Sequence, residues 1–193
     1  MYISKTTTIL ECVGPALSRP RFAALDRREL ALVERCVAHA RNHGLTRIAR
    51  LVTRAGNGWV YPIASVFLFL APIEHAARCI VAAIISLAIA FTIYPPLKRA
   101  LARTRPCDSD CSLSDSASPL DRYSFPSGHA MTAAAFGTPI IVAAPPLAIP
   151  LVIATCAIVS WSRIALGHHY PSDIAAGTFL GAVIAAAVAL VIL

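Results

Sequence analysis

Apolar positions fall into five long runs: residues 59–73, 76–94, 129–144, 147–166 and 174–193. Each is about the ~17–25 residues that a membrane-crossing helix needs. The first reaches that length only when Ala55-Gly-Asn-Gly58 is counted with it. Pro95-Pro96 is expected to end the second run and Pro145-Pro146 the third. Trp59 and Tyr61 stand where an interfacial aromatic belt would lie. Gly177 and Gly181 give the last run the small-xxx-small spacing of closely packed membrane helices. The pattern predicts an all-α integral membrane helical bundle with about five transmembrane helices.

Ahead of the runs the period changes. Leu30, Val33, Val37 and Ala40 recur at three- and four-residue steps, and Ile48 and Leu51 continue the stripe beyond a break at Asn42-His43-Gly44. Arginines occupy the other faces. A basic amphipathic helix over 26–54 is expected, opened by a capping-box-like Asp26-Arg-Arg-Glu29 and lying on the membrane surface. The predicted organisation is a loosely ordered segment 1–22, an amphipathic interfacial segment 23–54 and a transmembrane domain 55–193.

Composition agrees with the spans. Of 193 residues 57% are hydrophobic and 14% charged, against about 45–50% and 25% in soluble domains. The net charge is +7, from 17 Lys+Arg against 10 Asp+Glu. Together with spans, this basic excess points to anionic lipid or phosphate and not to nucleic acid. Cys107 and Cys111 flank Asp108-Ser-Asp110 without a nearby histidine, a weak pattern for metal. In an oxidising compartment the two would be candidates for a disulfide.

The polar breaks carry the chemistry. With five crossings, Lys98 to Pro106, Ser127-Gly-His129 and Ser162-Arg163 to Asp173 all fall on one side of the membrane. Residues 98–125 form the one long polar loop, and loops of that length are usually functional. Ionisable groups at membrane depth are costly and mark sites. Lys98, Arg105 and Arg163 suit a dianionic phosphate. His129 and His169 suit an acid and a nucleophile. Asp173, four residues after His169 and in the first turn of the last helix, suits a tautomer-fixing partner. Singly, each arginine reads as a snorkelling helix-end anchor; six such residues on one face do not.

Lys98-x6-Arg105-Pro106, Pro126-Ser-Gly-His129 and Ser162-Arg163-x5-His169-x3-Asp173 resemble, in order and spacing, the three-part signature of the type 2 phosphatidic acid phosphatase (PAP2) superfamily. The resemblance covers about residue 55 to the C-terminus. It implies a phosphatase without metal or other cofactor. His169 would attack phosphorus and become a phosphohistidine, with Asp173 orienting it. His129 would protonate the leaving oxygen and later activate water. Lys98, Arg105 and Arg163 would hold the phosphoryl oxygens, helped by Ser127 and the Gly128 backbone N–H. His168 falls outside the motif position.

The substrate is then expected to be a lipid phosphate or diphosphate in the bilayer: a polyprenyl diphosphate, phosphatidate, phosphatidylglycerophosphate or a polyprenyl-linked sugar phosphate. Alternatives are a phosphotransferase using the same phosphohistidine, or a non-enzymatic membrane protein on this scaffold. The vanadium haloperoxidases share the signature but are soluble. Larger members typically have six spans, whereas here an Arg-rich amphipathic helix stands in place of the first. By the crossing count only Arg78 among the 17 basic residues lies opposite the signature. The positive-inside rule therefore places the signature at the cytoplasmic face, in what is expected to be a bacterial inner membrane.

Overall fold

The computed structural model describes residues 20–70, 75–114, 121–143, 146 and 148–193, with residue 21 in backbone only. Among the described residues the architecture is all-α. The helices are α1 (Pro20–Asn42), α2 (Thr46–Ala55), α3 (Val60–Leu70), α4 (Ala76–Leu101), α5 (Pro106–Ser109), α6 (Gly128–Ala143), α7 (Ala148–Ala165) and α8 (Pro171–Ile192), with a 3-10 turn at Cys111–Leu113. Three of them, α4, α7 and α8, are long and apolar enough to cross a membrane. α3 and α6 are apolar but shorter, at 11 and 16 residues.

α6 is nevertheless the centre of the bundle. It packs against α4, α7 and α8, and Ala130 to Gly137 are all buried. Half of that stretch is alanine, and with Thr132 and Gly137 it leaves a thin surface between Met131 and Phe136 that lets neighbours approach. α8 comes closest. A Cβ added to Gly177 would lie 2.4 Å from the Ser127 carbonyl oxygen, and one added to Gly181 would lie 2.1 Å from that of Met131. The small-xxx-small spacing thus presses the start of α8 onto the start of α6, where both polar motifs sit.

Several expectations change. Pro95-Pro96 does not end the second span; α4 runs through both prolines to Leu101. Freed carbonyls that would stop a helix in water are tolerated inside a membrane bundle. Lys98 consequently rides on the last rigid turn of α4 and not in a loop. The helix stops instead at Ala102, whose φ of 47° is the left-handed cap that glycine usually takes. The chain then turns back, carrying Arg103 and Arg105 under the bundle end.

The N-terminal helix begins at Pro20 and not at Asp26, so Asp26-Arg-Arg-Glu29 is no capping box. Residues 1–19 of the segment expected to be loosely ordered lie outside the described residues, and 20–22 are helical. The break at 43–45 is present, with Gly44 at φ +67°. The α1 stripe is buried in protein: Val33 and Val37 pack with Cys107, Leu113 and Tyr170, while Ala40 packs with Ala165 and Leu166. Ile48 and Leu51 of α2 remain exposed, at 50% and 63%. Trp59 is also exposed, but Tyr61 turns inward, stacking on Phe136 and donating to the Thr132 hydroxyl at 2.8 Å. A phenol in apolar surroundings gains more from that partner than from the interface.

Gly181→Leu should cost about 1–3 kcal/mol or more through overpacking against α6. The measurement is loss of monodispersity on heating in detergent, earlier than for the unmodified protein. Equal heat resistance would show that the α6–α8 contact is not as tight as drawn.

Candidate active site

The site lies where the last turn of α4, the first turns of α6 and α8, and the end of α7 meet. Pro171 at N1 opens α8, and Asp173 at N3 accepts the Tyr170 N–H through Oδ2 at 2.9 Å. The Asp173 carbonyl oxygen in turn accepts the Ser127 N–H at 3.0 Å. That bond ties the Pro126-Ser-Gly-His129 turn to the start of α8. Ser127 is wholly buried, and its hydroxyl accepts the Ala130 N–H at 3.5 Å, as an N-cap residue does. Gly128 abuts the Tyr94 ring, which would stand 3.4 Å from an added Cβ.

His169 sits in the short connection between α7 and α8 and is 1% exposed. Its Nδ1 faces Asp173 Oδ2 at 3.4 Å, and its Nε2 faces the Arg105 guanidinium at 3.4 Å. Burial holds the imidazole well below its ordinary pKa, and the charges of Arg105, Arg163, Lys98 and His129 act in the same direction. His169 is therefore neutral at neutral pH, with a lone pair available on one nitrogen.

The cations surround this ring. Lys98, Arg105 and Arg163 are all buried. Arg105 donates to the His168 carbonyl at 2.6 Å and to the Tyr123 carbonyl at 3.0 Å. The Arg163 Nε has no hydrogen-bond partner among the described residues. His168 is buried and contributes that carbonyl, so it supports Arg105 from outside the signature. His129 Nε2 meets the Asn57 carboxamide oxygen at 2.7 Å, an arrangement in which Nε2 carries the proton.

Two further residues enter that sequence reasoning did not single out. Asp121 pairs with Lys98 at 2.7 Å and directly with Arg105. Burial alone would raise its carboxyl pKa, but Lys98 and then Arg105 hold it below the usual carboxylate range. An ionised carboxylate thus occupies the space between two of the three cations expected to hold phosphate. The other is Arg103, wholly buried, which pairs with Asp173 Oδ1 at 2.5 Å. Between Lys98 and Arg105 the chain holds two further cations, Arg99 and Arg103, and nothing in the spacing separates them. Beside the site a cavity of about 270 Å³ is lined by Tyr94, Pro95, Lys98, Arg99, Asp121, Arg122 and Tyr123. One wall is span and the other is charged loop.

Cys107 and Cys111, candidates for a disulfide only in an oxidising compartment, are not bonded to each other. Cys107 is a free, buried thiol against Gly167 and Leu113, while Cys111 is disulfide-bonded elsewhere.

Residues 78–193 match the model of the PAP2 superfamily, a range that takes in nearly all of α4, α5 to α8 and every signature position. The fold resembles the crystal structure described as the first transmembrane PAP2 type phosphatidylglycerolphosphate phosphatase from Bacillus subtilis, with a TM-score of 0.67 at 19% identity over 86% of this chain and 84% of that one. It also resembles Aquifex aeolicus LpxE, with a TM-score of 0.68 at 21% identity over 83% of this chain and 93% of that one.

Removing the carboxylate that competes for the cations should favour an external anion. Asp121→Ala is expected to lower the inhibition constant of inorganic phosphate roughly tenfold, equal to about 1.4 kcal/mol. An unchanged or higher constant would mean that Asp121 and phosphate do not share a subsite.

Proposed function

Because the chain belongs to the PAP2 superfamily, we propose that it is a membrane phosphatase that hydrolyses a lipid phosphate monoester or diphosphate through a phosphohistidine. The observation that carries this reading is one juxtaposition. A buried imidazole stands against Arg105, whose other donors hold the carboxylate of Asp121. Exchange that carboxylate for a phosphoryl group and phosphorus lies beside the His169 nitrogen.

In the proposed reaction His169 Nε2 attacks phosphorus and the bond to the leaving oxygen breaks. Asp173 faces Nδ1 and stabilises the positive charge that the ring acquires. Lys98, Arg105 and Arg163 take the charge spread over the equatorial oxygens. Ser127 and Gly128 complete the cradle. His129, entering this step doubly protonated, passes its Nε2 proton, now shared with Asn57, to the leaving oxygen and is left neutral. The same nitrogen then removes a proton from water, which attacks the phosphohistidine and releases inorganic phosphate. No metal enters any of these steps.

The cavity beside Lys98 supports a lipid substrate. It joins Tyr94 and Pro95 on the span to the charged 121–123 segment, so a headgroup can reach the cations while its tail stays against α4. Candidates are a polyprenyl diphosphate, phosphatidate, phosphatidylglycerophosphate or a polyprenyl-linked sugar phosphate. On this reading residues 55–193 form the catalytic domain and 23–54 an accessory segment on its polar end.

The basic residues favour a site on the cytoplasmic face of a bacterial inner membrane. One observation favours the opposite face: Cys111 is disulfide-bonded, and disulfides persist in oxidising compartments.

His169→Ala should abolish phosphate release in detergent and leave no acid-labile phosphoenzyme; retained turnover would remove His169 as nucleophile. For sidedness, Ser114→Cys gives an exposed thiol on the site loop. Labelling by a membrane-impermeant maleimide only after permeabilisation is the expected result. Labelling in intact cells would place the site outside.

A further inference from the structure

Arg103 is wholly buried and held at every side-chain nitrogen. A guanidinium carries five N–H groups in one plane, and here four hydrogen bonds and a further carboxylate contact engage all three nitrogens. Nε donates to Asp26 Oδ1 at 2.8 Å. Nη2 reaches Glu29 Oε2 and Asp26 Oδ1, each at 2.8 Å. Nη1 donates to the Ser172 hydroxyl at 2.6 Å and to Asp173 Oδ1 at 2.5 Å. The faces of the plane are covered as well, with Tyr170 at 4.1 Å and Phe22 at 5.1 Å from the guanidinium carbon.

Arg103 therefore has one orientation, and it fixes that of Asp173. One carboxylate oxygen is held by the guanidinium, and the other is left for the Tyr170 N–H and the His169 ring. The acceptors that orient Arg103 come from α1, not from the bundle. Glu29 goes further: Oε1 accepts the Ser172 N–H at 2.9 Å and Oε2 the Ser172 hydroxyl at 2.7 Å. This binds α1 to the exposed donors at the start of α8.

We propose that Arg103 is a positioning residue for the Asp173–His169 pair, and that Asp26 and Glu29 make α1 part of the active-site construction. The proposal rests on the roles given above to His169 and Asp173. Arg103 touches neither the cation cluster nor the cavity. Its loss disturbs the step in which a bond forms to the imidazole, and leaves ionic binding of an anion alone. Misplacing a reacting group by about 1 Å can cost roughly 10²-fold in rate.

Two oxyanions separate these effects. Inorganic phosphate fills the cation cluster by charge alone, whereas vanadate also closes a bond to the imidazole nitrogen. The test measures both dissociation constants by calorimetry on the full chain in detergent, with turnover of dioctanoyl phosphatidate alongside. Arg103→Lys and Glu29→Gln should each weaken vanadate about tenfold and lower kcat to match, with phosphate binding within about twofold of the unmodified protein. Arg103→Ala should lose more; if it does not fold, Glu29→Gln and Asp26→Asn decide. Vanadate and phosphate weakening together, or neither changing, would overturn the proposal. His169→Ala is the comparator. If it leaves vanadate affinity intact, the phosphohistidine reading fails. If it abolishes vanadate binding while the Arg103 and Glu29 variants bind normally, only the positioning role fails.

Discussion

The structure depends on a backbone-to-backbone contact. Glycine at 177 and 181 lets α8 lie directly on the carbonyls of Ser127 and Met131. With any side chain there, the two helix starts separate and the Ser127 N–H no longer reaches the Asp173 carbonyl. Membrane helices have no hydrophobic drive to associate in lipid, so close packing and polar bonds must do the work. Here they do so at the end of the bundle where the charged residues converge.

That convergence has an electrostatic cost. Lys98, Arg105 and Arg163 are buried together, and like charges in a desolvated space repel. Asp121 offsets part of this by pairing with two of them. Asp173 offsets none of it, because its charge is already taken by Arg103. The two carboxylates thus serve different cations, while the cluster's charge still acts on the imidazole. One half of the site is a cation cluster with a removable carboxylate; the other is an imidazole backed by a carboxylate with its own fixed counter-charge. A phosphoryl-transfer site needs that division, since a carboxylate shared between the halves would quench the donors or abandon the ring.

Much of this was legible in the chain. Apolar run lengths gave the all-α membrane bundle, and motif spacing gave the eight residues that gather at its polar end. What stayed hidden follows from single-residue rules losing to tertiary context. Pro95 and Pro96 are helix breakers in water, yet α4 continues through them in the bundle. Asp26 and Glu29 have the spacing of a cap, but their carboxylates leave the helix for Arg103. No local pattern could show this, because the partners are far apart in sequence. Asn57 entered only as part of the stretch lengthening the first run, and its bond to His129 depends on how α2 leads into α3. Cys107 and Cys111 looked like a pair because they are near in sequence; α5 buries one under Gly167 and leaves the other exposed.

The carboxylate of Asp121 also bears on how such a site lives in a bilayer. A membrane surface is crowded with phosphodiester headgroups, each bringing a single negative charge. An open cluster of buried cations would be saturated by them. An internal carboxylate already in place sets a threshold: a visitor must outbid one well-seated charge. A phosphomonoester, with close to two charges at neutral pH, brings more than it displaces, whereas a diester brings no more. On the proposed function, discrimination of a rare terminal phosphate from the abundant lipid around it would need no pocket shaped to the rest of the molecule, only a resident anion of the right weakness.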